Sequence, residues 1–308
     1  MRFVIHIGWE KTGTTSIQQY LHARSKYLAG KGVFYLSSPG RIEHAYLSHA
    51  CLNLEKHSHL HKLKGLDSEE DRRLFRDDVF GDFRQKMSDL PPKYHTVLIS
   101  SEHFSTVLDT SSEVIRLRKV LSEFSEDIEI IAYIRDQEDQ IVSAYSTRLK
   151  SGAVLKFSEH LDSNLKYARF NYAEALALWG DVFGDSKVNV GVYSNTPNSG
   201  HSLIDDFLSR VSNSLRVANG HTVRRKNKSL SKFGCQLLRR VNLLTPTAYR
   251  LKAPMNAQRK LLVRLLLRMP GQGLRMTEAQ RERVRETYLE SNKQVLAKWF
   301  PKQSKLFY

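Results

Sequence analysis

Four short apolar, β-branched runs punctuate the first two-thirds of the chain: RFVIHIG (Arg2–Gly8), TVLISS (Thr96–Ser101), EIIAYIR (Glu129–Arg135) and VNVGVYS (Val188–Ser194). Each is followed by a polar stretch of helical pattern. Strands alternating with helices predict an α/β fold built on a parallel sheet flanked by helices, since parallel crossovers lay helices over both faces. After the first run, Ile17, Tyr20, Leu21 and Arg24 recur at helical spacing, and Thr14, Thr15 or Ser16 is placed to cap that helix. The opening stretch therefore reads strand, turn, helix.

Between Ile42 and Pro92 the pattern becomes charged and His-rich and reads as an inserted or variable helical region closed by Pro91 and Pro92, a natural place for a substrate loop. Beyond Ser194 the pattern is mostly helical, and Thr277 followed by Gln280 predicts a capping box at the start of the last helix. We expect one domain over residues 1–308, with an α/β core in 1–200 and a basic helical portion in 201–308.

Composition sharpens this division. The 308 residues are 41% hydrophobic, enough for a sizeable core, so disorder is not the default reading. No apolar run approaches the ~18 residues of a membrane span, and LLVRLLLRMP is interrupted by Arg264 and Arg268. The N-terminal apolar stretch is too short for a signal peptide, so a start at Met1 and a cytoplasmic protein are expected. Cys51 and Cys235 form no paired motif and read as ordinary thiols. The net charge is +16, and its placement matters more than its size: residues 201–308 hold 23 Lys/Arg against six Asp/Glu, whereas 1–200 hold 25 against 26. Such a block suits an anionic partner, although a solvated basic face that aids solubility has the same composition.

The turn GWEKTGTTS (Gly8–Ser16) lies between a strand and a helix, where backbone N–H groups and a helix N-terminus face an anion. Lys11 sits inside the turn, two residues before Gly13, and Thr12, Thr14, Thr15 and Ser16 offer hydroxyls. The nucleotide-binding pattern G-x-x-x-x-G-K-[ST] fails, because no Gly-Lys-[ST] follows to supply the metal-binding hydroxyl. A lysine-first turn suits a single phosphate group with its attached charge.

On these residues the chain resembles the sulfotransferases that use 3′-phosphoadenosine 5′-phosphosulfate (PAPS), whose phosphosulfate loop has the form K-x-G-T-T. The stretch HIGWEKTGTTSIQQYL is similar to a bacterial branch that often sulfates carbohydrates. The resemblance implies that Trp9, Lys11, Thr12, Gly13, Thr14, Thr15 and Ser16 hold the donor, and that Lys11 is catalytic. In IIAYIRDQEDQIVSAYSTRL, Arg135 and Ser143 resemble the family's 3′-phosphate site, with Gln137 where many relatives have Pro. An arginine fork at a strand end and a serine about two helical turns later can clamp one phosphate. Read alone, Arg135 is an ordinary ion-pairing residue with Asp136 or Glu138.

In TVLISSEHFST, Glu102 and His103 follow a strand end, where open α/β sheets bind ligands. The resemblance makes one of them the general base that takes the acceptor hydroxyl's proton, and Glu102 is preferred. A Glu at an ordinary pKa of ~4.3 needs desolvation for that role, whereas a His at ~6.5 needs no tuning. A first-turn acid and a packing histidine are the plainer reading. The family's late basic segment, which closes on the 3′-phosphate, resembles HTVRRKNKSLSKFG, making Arg224, Arg225, Lys226 and Lys228 candidates. ESNKQVLAKWF resembles the closing helix, with Asn292 read as capping or structural rather than catalytic. The likeness runs in patches from residue 3 to about 300; 42–92 and 243–275 match nothing.

His57, His59 and His61 alternate near Cys51, but no second cluster has ligand spacing, so no metal is expected. QRKLLVRLLLRM reads equally as a basic amphipathic helix on an anionic membrane and as a core helix with snorkelling arginines. The expectation is thus a PAPS-dependent sulfotransferase acting on a hydroxyl of a glycan or glycolipid, needing no metal and no nucleic acid, with possible peripheral contact at the inner face of an anionic membrane. Two rivals stay open: a P-loop small-molecule kinase, and a non-catalytic basic module for nucleic acid or membrane.

Overall fold

In chain order the computed structural model contains β1 (Arg2–His6), α1 (Thr14–Ala23), α2 (Ser25–Gly30), β2 (Val33–Leu36), α3 (Ala45–Ala50), α4 (His59–Lys64), α5 (Glu69–Ser88), β3 (Thr96–Ser100), α6 (His103–Val107) and α7 (Ser111–Ser122). There follow β4 (Ile128–Ile134), α8 (Gln137–Lys150), α9 (Phe157–Lys166), α10 (Tyr172–Phe183), β5 (Val188–Val192), α11 (Leu203–Val211), α12 (Lys232–Leu244), α13 (Ala253–Arg268) and α14 (Glu278–Trp299). Described are residues 1–38, 41–167, 170–194, 202–217, 230–244, 253–269 and 271–307. They fall into two compact units, one from 1–134 with 172–223, the other from 135–171 with 224–308.

The first unit carries a five-stranded sheet in the order β2-β3-β1-β4-β5, with every neighbouring pair parallel. The expected α/β architecture is present. The middles of the central strands are apolar because both faces are covered: all five residues of β3 are buried, with Val97, Leu98 and Ile99 between Thr96 and Ser100. On one face Val4, Leu98 and Tyr133 pack with Ile17 and Leu21 of α1 and with Ile204, Phe207 and Leu208 of α11. On the other, Phe3 meets Phe83 of α5 at 6.2 Å between ring centroids. Strand β2 was not among the four expected strands. Its four residues, VFYL, are too few to show periodicity, and pairing with β3 is what makes them a strand. Helices α3, α4 and α5 fill 42–92 as expected, with α5 ending at Ser88, before the two prolines.

The second unit packs α8 with α12, α13 and α14. Tyr145, Leu149, Leu230, Cys235, Leu238 and Leu266 form its core. Here Arg259, 8% exposed, points inward: its Nη2 donates to the carbonyls of Leu149 (3.1 Å) and Lys150 (3.3 Å) and to Asn242 Oδ1 (2.7 Å). A cation at the C-terminus of α8 satisfies carbonyls that have no partner within the helix. The capping box at Thr277 and Gln280 is present, each side chain accepting from the other's backbone N–H. No helix among the described residues is long and apolar enough to cross a membrane.

Three buried histidines give the first unit a pH response. Burial holds His6 at a pKa of about 3, His44 at about 4 and His49 at about 3, well below the ordinary 6.5. Between those values and 6.5 the unfolded chain binds protons that the folded one refuses, so stability falls as pH drops. The slope is about 1.4 kcal/mol per pH unit for each ring. Asp136, raised by burial to about 6, works with the opposite sign, gaining its proton in the folded state first. Three rings outweigh one carboxyl. The urea midpoint is therefore expected to be lower at pH 5 than at pH 7.5; equal midpoints would mean that the rings titrate normally.

Candidate active site

The chain leaves β1 at His6 and enters α1 at Thr14, and the loop between them is closed by its own groups. Thr12 is fully buried and donates through Oγ1 to the Trp9 carbonyl at 2.6 Å. Trp9 is itself 4% exposed, its ring edge-on to Tyr172 at 5.1 Å. Both residues therefore shape the loop from inside, a change from the expectation that the Thr12 hydroxyl would face a ligand. Between them stands Lys11 at φ +69°, among the described residues the only one bearing a side chain in the left-handed region. Such a conformation costs on the order of 1–2 kcal/mol and persists where the surroundings over-determine it.

Gly13 follows at φ +85° and is the N-cap of α1, with no side-chain cap. This corrects the expected capping by Thr14, Thr15 or Ser16: the cap falls one to three residues earlier, so those three occupy the first turn. Their hydroxyls are not used as caps; the Ser16 N–H already donates to the Gly13 carbonyl at 2.9 Å, and the N–H groups of Thr14 and Thr15 are the first-turn donors at the helix end where an anion is stabilised. A Cβ on Gly13 would collide with Leu203 Cδ2 and come within 2.9 Å of Tyr193 Cε2; one on Gly8 would lie 2.7 Å from His6 Nε2. Gly13→Ala is accordingly expected to lower stability by at least about 1–2 kcal/mol, read as a reduced urea midpoint, with loss of anion binding. An unchanged midpoint would mean that the loop rearranges freely.

The end of β3 meets the same helix. Gln18 of α1, 3% exposed, donates through Nε2 to Glu102 Oε2 at 3.0 Å, and Ser105 Oγ donates to the Gly8 carbonyl at 2.9 Å. Glu102 is the residue preceding α6 rather than a member of its first turn, and its carboxylate caps nothing. His103 lies with its Nε2 3.9 Å from Glu43 Oε2 and its ring 4.8 Å from that of His49. Ser101 links the pair, donating from Oγ to Glu43 Oε2 at 3.1 Å and accepting from the His103 N–H at 3.2 Å. Burial and the nearby Glu43 and Glu102 carboxylates push the Tyr35 phenol well above its ordinary pKa. Glu43 was missed in the sequence, because its segment is brought to the strand end by tertiary bonds, the His44 N–H donating to the Ser100 carbonyl (3.1 Å) and Ser101 Oγ to Glu43 itself.

In the second unit, Arg135 is the residue after β4 in the chain, its side chain 10% exposed and its Nη2 3.0 Å from Asp139 Oδ2. The partner is Asp139, one helical turn on, not Asp136 or Glu138. Asp136 instead caps α8, accepting from the Asp139 N–H at 3.1 Å. Asp139 and Ser143, four residues apart in α8, share one helix face, and Arg135, which precedes the N-cap, reaches that face through its contact with Asp139; Ser143 is 9% exposed. Gln137, standing where a proline was the commoner expectation, is fully buried and exchanges two amide hydrogen bonds with Asn292, at 2.8 and 3.2 Å. That pair ties α8 to α14 and gives Asn292 a structural part.

Arg224, Arg225, Lys226 and Lys228 lie outside the described residues. Among those described, no three His, Cys, Asp or Glu are grouped to hold a metal ion. His57 and His59 are exposed, whereas His61 is buried between His49 and Phe75. Cys51 and Cys235 are buried free thiols, pushed by desolvation up to about 12 and about 11.

No protein-family model matches the chain, and neither does any curated protein sequence. The solved structure of a sulfotransferase from Alicyclobacillus acidocaldarius superposes over 97% of this chain and 96% of its own, with a TM-score of 0.51 at 14% identity. The chain has a sulfotransferase fold.

Proposed function

We propose that this protein is a PAPS-dependent sulfotransferase that delivers a sulfuryl group to a hydroxyl of a carbohydrate or glycolipid. The observation that carries the reading is Lys11 held in left-handed backbone within the turn that opens α1. A cation kept there at a conformational cost, above a helix N-terminus whose hydroxyls are not used as caps, is a cradle for one doubly substituted anionic group. PAPS supplies the activated sulfuryl group when bound. Lys11, with the first-turn N–H groups and the Thr14 and Thr15 hydroxyls, neutralises charge growing on the leaving oxygens. Glu102, oriented by Gln18, takes the acceptor's proton. Arg135 and Ser143 hold the 3′-phosphate, the group that separates this donor from ATP. The solved sulfotransferase of the same fold supports the reading.

The test is ligand-specific thermal stabilisation followed by label transfer. Adenosine 3′,5′-bisphosphate without magnesium is expected to raise Tm, by an amount equivalent to about 2.7 kcal/mol at a hundred times Kd. Labelled PAPS is then expected to mark a cell-envelope fraction. Stabilisation by ATP with magnesium instead would establish the kinase reading. A response to neither nucleotide, with salt-sensitive polyanion binding, would establish the non-catalytic one.

A further inference from the structure

We infer that the outward faces of α12 and α13 form a docking surface for an anionic lipid bilayer, independently of the reaction proposed above. The sequence favours an anionic partner here more sharply than the overall charge suggests: between Asp206 and Glu278 there are 16 Lys/Arg and no Asp or Glu.

Helix α13 resolves the two readings of its sequence by having two faces. Leu266 is buried and Leu262, Val263 and Leu267 pack partly against the core, so one side is a core helix. The other side repeats a cation followed by a hydrophobe every four residues: Lys260-Leu261, Arg264-Leu265 and Arg268-Met269, all exposed. Leu261 is 56% and Leu265 52% exposed. Helix α12, packed on α13, carries the same chemistry, with Phe233 57%, Leu243 59% and Leu244 88% exposed and Lys232 and Arg240 on the outside.

Exposed leucines interleaved with cations select the occupant. Nucleic acid would be held by the cations alone and would offer the leucines nothing. A second copy of this face would set cations against cations. A bilayer with anionic headgroups satisfies both parts, since lysine and arginine meet the phosphates while leucine and phenylalanine enter the headgroup–acyl boundary.

Flotation of the full chain with vesicles tests this. The protein is expected to float with mixed phosphatidylcholine–phosphatidylglycerol vesicles and not with phosphatidylcholine alone. Leu261→Ser with Leu265→Ser is expected to lower the partition coefficient on the order of tenfold. Lys260→Gln with Arg264→Gln should lower it on the order of fivefold per cation. These side chains are exposed, so the melting curve should be unchanged; Leu243→Ser with Leu244→Ser provides a second variant on α12. Failure to float with anionic vesicles overturns the proposal. So does partition that the serine variants leave untouched, which would mark a purely electrostatic surface for nucleic acid. Conversion of a dimer to a monomer by the serine variants, without vesicle binding, would instead assign the face to a second copy.

Discussion

Lys11→Gly is expected to make the protein more stable and nearly inactive at once. Lysine at φ +69° carries a left-handed penalty of roughly 1–2 kcal/mol that glycine does not. Glycine in turn loses more chain entropy on folding, about 0.4–1 kcal/mol, leaving a net gain of roughly 0.5–1 kcal/mol. In a chain of this size that raises Tm by about 1–2 °C. Sulfuryl transfer from saturating PAPS should meanwhile fall by ~10²–10³, the usual loss when one charge-stabilising donor is removed. Lys11→Ala separates the two effects, since alanine loses the cation and keeps the backbone penalty: the same rate loss is expected with no gain in Tm. Full activity in either variant would remove Lys11 from the reaction. A lower Tm for the glycine variant would show that the turn is not strained.

The second large effect belongs to Arg135. Charged hydrogen bonds to a phosphate are worth about 1.5–3 kcal/mol each, so Arg135→Ala is expected to weaken adenosine 3′,5′-bisphosphate roughly 10–100-fold by calorimetry. KM for PAPS should rise with kcat little changed, because the group held is remote from the bond that breaks. Arg135→Lys keeps the charge but not the fork and should fall between. Asp139 gives the sharper check. Its carboxylate stands 3.0 Å from the Arg135 guanidinium and competes with any phosphate for it. As its side chain is 60% exposed, Asp139→Asn should tighten the nucleotide by a few-fold at most, in keeping with the small worth of such pairs. Unchanged affinity in all three variants would refute the clamp.

Much of this was legible along the chain. The apolar runs mark four of five strands, and the Lys11–Ser16 turn is placed between strand and helix by sequence alone, because both signals are local. What failed was whatever depended on a partner distant in sequence. Strand β2 exists through its ladder with β3, and Glu43 enters the site through bonds from His44 to Ser100 and from Ser101 to Glu43. Gln137 looked like a departure until Asn292, 155 residues away, proved to be its hydrogen-bonding partner. The start of α1 falls one to three residues before the hydroxyl caps expected for a different reason: Gly13 caps it through a left-handed backbone rather than a side chain.

By itself, then, the amino-acid order determined the alternation of strand and helix, the lysine-first turn and the concentration of positive charge in the last third. Each depends on residue type and spacing over a few neighbours. Only the tertiary structure decided that Lys11 is held left-handed, that Gln18 steadies Glu102, that residues 135–171 belong with the C-terminal helices, and that α13 turns Arg259 inward and Leu261 and Leu265 outward. Those outcomes depend on which surfaces meet when apolar area is buried, and that is settled by the packing of the whole chain.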